Sequence, residues 1–251
     1  MPDPEPFHVP VTALDDHFRL VGDILRRFLE PGVESNLGVD ATGDRVVAGL
    51  DGIGLETTMR NRGRHRARVA PLLQLPDGLW AWLGYQEEWS RSPGRGVSRV
   101  FFRSSSIGIH FGFRYMDPKP QIFRAEWAGY DLHGGKYRFQ GGRAGHPHWQ
   151  FDAAESLVSD ETFDRAGELA ALLREEAAEQ APAEFTPQGL GLGQSDVHGI
   201  VMSRKIAAMH FASAARWWSD PAHAHAPSGV QQIRTWIERT LEYVVQELDR
   251  V

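Results

Sequence analysis

The stretch that decides the fold is LWAWLGYQEEWSRSPGRGVSRVFFRSSSIGIHFGFRY, residues 79–115. It contains two runs rich in aromatic and β-branched residues, which flank the turn sequence RSPGRG at 91–96. Runs of this composition around a short turn predict two antiparallel strands, here at 79–89 and 99–115.

More strands are predicted on both sides of this pair. Pro76-Asp77-Gly78 has the composition of a tight turn, and the run before it predicts a strand. Turn sequences rich in glycine and proline divide the chain after residue 115 in the same way. The remaining predicted strands lie at 46–50, 53–59, 66–75, 121–132, 136–140 and 146–152. Connections this short predict that consecutive strands pair with one another in an antiparallel meander.

Helical periodicity flanks the predicted sheet. Apolar residues spaced three and four apart predict an N-terminal helix over 12–30 and three C-terminal helices over 159–180, 195–218 and 229–249. Thr12 and Ser228 are the expected helix caps. This order of elements predicts an α+β fold, an antiparallel meander with one N-terminal and three C-terminal helices covering one face.

We predict one domain over residues 1–251. Residues 1–10 carry four prolines and are expected to form a flexible arm. The helix and the antiparallel sheet then occupy 12–152, and the helical part occupies 159–250.

Composition excludes several classes of chemistry. The chain has no cysteine, so disulfides, thiolate zinc sites and cysteine nucleophiles are excluded. Its net charge of −6 gives no general attraction to nucleic acid, although the basic segment at 60–68 leaves that partner open. The N-terminus does not resemble a signal peptide, and no apolar run is long enough to cross a membrane. We therefore expect a cytoplasmic protein without membrane contact.

The strand alternation predicts one polar face on the sheet. Its expected members are Ser104, Ser106, His110, Arg114, Arg124, Glu126, Arg138, His146, His148, Gln150 and Asp152. The small residues Ser104, Ser106, Gly108 and Gly112 are expected to leave room above the strands for a ligand. The alternative is an ordinary solvated face, which antiparallel sheets often have.

The sequence His146-Pro147-His148 suggests a metal site on this face. Two imidazoles separated by one residue on a strand can reach the same ion, and Asp152 could complete the ligand set. The metal prediction is therefore a divalent ion held by His146, His148 and Asp152.

The same face suggests catalysis with or without metal. The histidines His110, His146 and His148 could transfer protons beside Glu126, while Arg124 holds an anionic group. This combination predicts a histidine-dependent hydrolase of a phosphate-containing or other anionic substrate, including nuclease-like activity.

A non-catalytic function stays open, because no established nucleophile motif occurs in the sequence. The alternative is a binding or adaptor protein of a bacterial multi-gene system, which uses the same face and exposed tryptophans. Its partner would be an anionic small molecule or a protein. The apolar stripe of the last helix, at 229–249, also suggests homo-oligomerisation.

Overall fold

A computed structural model gives the fold. It describes residues 7–59, 66–91, 99–115, 119, 121–128, 130–133, 136–139, 147–151 and 227–250. In these residues an antiparallel, curled sheet packs against two helices, so the α+β class is confirmed. No helix in these ranges is both long and apolar enough to span a membrane.

The helices are α1, Thr12–Arg26, and α2, Val230–Leu248. The strands are β1 His8–Pro10, β2 Glu34–Asp40, β3 Arg45–Ile53, β4 Glu56–Met59, β5 Arg66–Gln74, β6 Trp80–Arg91, β7 Arg99–Gly112, β8 Gln121–Ala128, β9 Tyr130–His133, β10 Lys136–Phe139 and β11 His148–Phe151. A 3-10 turn, Pro76–Gly78, joins β5 to β6, as the sequence predicts for this turn.

The main sheet has the strand order β11-β8-β7-β6-β3-β2. Strand β6 changes partner along one edge, because residues 80–83 pair with β5 whereas residues 86–90 pair with β3. The sheet divides at this point, and β4 extends the branch that begins with β5. On the other edge of β6, strand β7 pairs along nearly its whole length and also pairs with β1 and β8.

One face of the sheet is apolar and packs under the helices. Ile107, Ile109 and Phe111 alternate along β7 and are fully buried. In β8, Trp127 stacks edge to face on Trp236 of α2, with ring centroids 6.0 Å apart. Burying a side chain of this size contributes about 1.5–3 kcal/mol, so this layer is the main source of stability.

Both helices meet the sheet through their apolar stripes. The buried stripe of α1 is Leu14, Phe18, Val21 and Leu25, and that of α2 is Ile233, Ile237, Leu241, Val244 and Leu248. The stripe of α2 is thus used inside the chain. An oligomer that involves this helix would have to use its other side.

The N-terminus and the helix ends differ from prediction. Residues 8–10, expected in a flexible arm, instead form β1 against the beginning of β7. Val11 rather than Thr12 is the N-cap of α1, and the helix ends at Arg26, before Pro31-Gly32. At the start of α2 the Ser228 N–H donates to Gln232, and Gly229 is the N-cap.

The last strands do not continue the meander. Strands β9 and β10 form a separate hairpin, so Arg138 does not belong to the main sheet. Strand β11 then pairs with β8 rather than with its neighbour in sequence, because the edge of β8 is open to it after the chain has made this excursion. Of the three predicted C-terminal helices, α2 is confirmed, and the segments 159–180 and 195–218 lie outside the described residues.

Candidate functional site

The face of the sheet opposite the helices carries what we call the outer polar surface. It consists of Arg45, Gln86, Glu88, Arg103, Ser104, Ser106, Arg124 and Glu126. Ser106 is in register with Gln86 on one side and with Glu126 on the other. Because residues directly opposite each other share a face of the sheet, these side chains form a row across three strands.

Charged side chains contact one another at two places on this surface. Glu88 accepts hydrogen bonds from Arg45 and from Gln86 (Nε2 to Oε1, 2.6 Å), and the Nε of Arg103 lies 3.9 Å from its Oε2. On β8, the Nη2 of Arg124 lies 3.5 Å from the Oε2 of Glu126. Both side chains of this second pair are about one-third exposed or less, at 31% and 26%. They combine partial burial with access for a ligand.

Strand β11 extends the same rows. His148 is in register with Glu126, and Gln150 is in register with Arg124. Three of the predicted catalytic residues, Arg124, Glu126 and His148, therefore occupy neighbouring positions on two paired strands.

The predicted metal ligands are only partly described. His146 and Asp152 lie outside the described residues, whereas His148 belongs to β11. Within the ranges given above, no three His, Asp or Glu side chains are arranged to hold a metal ion. Metal binding by His146, His148 and Asp152 stays a prediction.

His110 lies elsewhere. Its ring is almost completely buried, and its Nδ1 is 3.0 Å from the carbonyl oxygen of Lys119. It is four residues from Ser106 along β7, a distance of about 13 Å at the usual rise of a strand. Proton transfer requires contact at hydrogen-bond distance, so the structure does not bring His110 together with the row that contains Glu126 and His148.

The predicted room above the glycines of β7 is filled. A Cβ at Gly108 would lie 2.6 Å from the Oε1 of Gln121, and one at Gly112 would lie 2.7 Å from the Cγ of Lys119. These side chains reach back over the strand from the connection to β8 and from the first residue of β8. The glycines therefore accommodate the protein's own side chains, and a ligand floor is left only at the end with Ser104 and Ser106.

Lys119 is held firmly in this position. Its ammonium group lies 2.6 Å from the Oε2 of Glu56 and 4.6 Å from the ring centroid of Trp82. Its backbone N–H donates to the Oγ1 of Thr58 at 2.8 Å. An ion pair, a cation–π contact and a backbone hydrogen bond together satisfy a lysine that is 1% exposed.

A buried polar cluster lies on the other face and was not predicted. The carboxylate of Glu87 accepts hydrogen bonds from His17 (Nε2, 2.8 Å), Trp89 (Nε1, 2.6 Å) and Tyr85 (hydroxyl, 2.6 Å). The hydroxyl of Ser105 donates to that of Tyr85 at 3.3 Å. All five side chains are buried.

The protonation states of this cluster follow from its surroundings. Burial raises the pKa of Glu87, but the charge of His17 and the hydrogen bonds from His17, Tyr85 and Trp89 outweigh it and hold the pKa below its usual range. Burial, and then the carboxylate of Glu87, raise the pKa of Tyr85 well above 10.0. The cluster therefore contains an ionised carboxylate and a neutral phenol.

The sequence contains a signal for this cluster. Glu87 alternates with Tyr85 and Trp89 on the apolar face of β6, and His17 lies within the apolar stripe of α1. Two ionisable residues at core positions of two elements predict that they meet, because an unpaired buried charge is very costly. His17 and Glu87 are both fully buried, so no substrate can reach them. We interpret the cluster as structural.

The tryptophans are mostly core residues. Five of the eight are described with their side chains, and all are at most 9% exposed: Trp80, Trp82, Trp89, Trp127 and Trp236. The exposed tryptophans expected for a binding protein are not among these five, because their rings fill the two sides of the sheet. Trp217 and Trp218 lie outside the described residues.

Comparisons of the chain with protein-family models, with curated proteins and with solved structures find no match. Function has to be inferred from the chemistry of the residues themselves. The outer polar surface offers partly exposed ionic and hydroxyl groups, whereas the cluster around Glu87 is closed to ligands.

Proposed function

We propose that the protein is a histidine-dependent hydrolase of a phosphate-containing or other anionic substrate, with its site on the outer polar surface. One observation carries the proposal. The register of β7, β8 and β11 aligns Ser106, Glu126 and His148 in a single row, with Arg124 in the next row. A carboxylate, an imidazole and a guanidinium at neighbouring positions are the groups that general acid–base hydrolysis of an anionic ester uses.

The reaction assigns one role to each group. His148 accepts a proton from a water molecule as its oxygen bonds to phosphorus, and the bond from phosphorus to the leaving oxygen breaks. The imidazolium then returns its proton to the leaving alcohol, so the residue ends unchanged. Glu126 orients the imidazole and stabilises its cationic form, and Arg124 stabilises the charge on the phosphoryl oxygens.

His110 has no role in this proposal. It was predicted as a catalytic residue, but its burial and its contact with the Lys119 carbonyl favour a structural role. The partial exposure of Arg124 and Glu126 supports the choice of these two residues instead.

The proposal includes a divalent metal as an alternative use of His148. With His146 and Asp152 it could supply two imidazoles and a carboxylate, a ligand set that suits a catalytic metal with open positions. His148 would then be a ligand rather than the base. Metal analysis of the purified protein separates the two mechanisms.

A second candidate function is binding without catalysis. The contact of Arg45 and Arg103 with the single carboxylate of Glu88 favours it, because an anionic ligand can take the place of a carboxylate between two guanidiniums. The partner would be an anionic small molecule or a protein. A cytoplasmic location and a place in a bacterial multi-gene system belong to this proposal.

The experiment that tests the catalytic proposal is an assay with bis(p-nitrophenyl) phosphate, with and without a chelator. We expect turnover by the wild-type chain and a loss of about 10²–10⁴-fold in His148→Ala. Gln150→Ala is the matched control, because it changes the same strand one row away. Absence of turnover with phosphodiester and phosphomonoester substrates alike would contradict catalysis, and saturable phosphate binding without turnover would support the binding function.

A further inference from the structure

Strand β2 ends the main sheet as a free edge. Glu34–Asp40 pairs with β3 on one side through seven consecutive residues, without a register shift. On its other side, no residue in the described part of the chain pairs with it. A row of backbone N–H and C=O groups is thus available for another strand.

This edge lacks the devices that usually prevent strand addition. Proteins protect open edges with lysine, proline, bulges or very short strands. The centre of β2 is instead Leu37-Gly38-Val39, which is uncharged, and the Val39 side chain is half exposed. The two acidic residues stand at the ends of the strand, at Glu34 and Asp40.

A groove runs beside the edge, between β2 and α1. Its volume is about 290 Å³, and apolar lining comes from Phe18, Leu37 and Val39. At Gly22 the helix contributes no side chain, and a Cβ there would lie 4.0 Å from the Leu37 nitrogen. A single glycine in the stripe of α1 therefore opens the space, which is large enough for about ten water molecules.

The rim of the groove is cationic. Arg19 and Arg26 of α1 line it against one acidic residue, Asp15, in a chain whose net charge is −6. Arg19 is 61% exposed, and the acidic groups nearest to it, on Asp16 and Asp23, are 3.6 and 3.5 Å away. A partner with a carboxylate at this position would find a guanidinium that is accessible and only loosely paired.

We infer that this groove binds an extended peptide segment of a partner protein, which adds a strand to the edge of β2. The segment has apolar side chains at alternate positions, which fill the groove over Gly22, and an acidic residue that pairs with Arg19 or Arg26. Strand addition gives affinity through the main chain, while the groove and the rim select the sequence. The inference is independent of the hydrolase proposal, because it uses the edge and not the face of the sheet.

The test uses two fluorescein-labelled peptides, TVEVEVT and its lysine counterpart TVKVKVT, in fluorescence anisotropy. We expect the acidic peptide to bind about fivefold more tightly than the lysine peptide, the effect of one exposed ion pair. The double variant Arg19→Glu, Arg26→Glu should reverse this order, because both residues are exposed and their replacement leaves the core intact.

A second pair of variants tests the groove itself. Gly22→Met should weaken binding of the acidic peptide by at least about tenfold by filling the space, whereas Gly22→Ala should retain binding, since its Cβ makes only ordinary contact. Binding of neither peptide, or the same preference in the charge-reversed variant, would overturn the inference. A dimer in light scattering that Val39→Lys dissociates would also overturn it, because the occupant of the edge would then be a second copy of the chain.

Discussion

The Nε2 atom of His17 in α1 lies 2.8 Å from the Oε1 atom of Glu87 in β6, and both side chains are completely buried. The pair joins the first helix to the central strand across 70 residues of sequence. Because Glu87 also accepts from Tyr85 and Trp89, the carboxylate has the donors that make a buried charge tolerable. We interpret the pair as fixing the position of α1 on the sheet.

Removing one partner of this pair should be strongly destabilising. We expect Glu87→Leu to lower the free energy of unfolding by about 3–5 kcal/mol, because it leaves the imidazole of His17 and the hydroxyl of Tyr85 buried without their acceptor. The measurement is urea denaturation followed by tryptophan fluorescence. The double variant His17→Leu, Glu87→Leu should lose less than the sum of the single losses, and additive losses would show that the pair is not coupled.

The same pair should give the protein an acid-sensitive stability. The pKa of Glu87 is lower in the folded chain than in the unfolded chain, so its contribution is present above the unfolded value of about 4.3 and is lost as the pH falls through the folded value. We expect Glu87→Gln to depend less on pH than the wild-type chain below about pH 4.5. Urea midpoints between pH 3 and pH 7 measure this difference, and parallel curves would contradict it.

The filled space above β7 predicts a cost for enlarging its glycines. Gly112→Ala places a Cβ 2.7 Å from the Cγ of Lys119, whose ammonium group is held by Glu56. We expect a loss of about 1–3 kcal/mol in thermal or urea unfolding, typical of overpacking. The loss should be smaller in the Lys119→Ala background, where the clash is absent. Gly22→Ala is the control in an open position, and an equal loss there would contradict the steric explanation.

The strands around residues 66–112 could be predicted because their signals are local. Alternating aromatic and β-branched residues and the Pro76–Gly78 turn define β5, β6 and β7 to within a few residues. Strand β2 was missed because its sequence ESNLGVD lacks both β-branched enrichment and clear alternation, and it is held by pairing with β3. The pairing of β11 with β8 could not be predicted from turn lengths, because the β9–β10 hairpin interrupts the main sheet.

The candidate site was predictable only in part for a similar reason. Strand alternation correctly assigns Ser106 and Glu126 to one face, since that depends on the period of the strand alone. It cannot show that Lys119 and Gln121 fold over Gly112 and Gly108, because these are tertiary contacts. For the same reason His110 looks accessible in the sequence and is buried in the structure.

The most direct test of the catalytic site compares two carboxylates on the outer polar surface. Initial rates of bis(p-nitrophenyl) phosphate hydrolysis should be measured for wild type, Glu126→Gln and Glu88→Gln, after circular dichroism has shown that all three are folded. We predict that Glu126→Gln lowers kcat at least about 10²-fold, because His148 loses the group that orients it, whereas Glu88→Gln changes kcat by less than about threefold. Equal effects of the two substitutions, or no turnover by the wild-type chain, would contradict a catalytic site at Glu126 and His148.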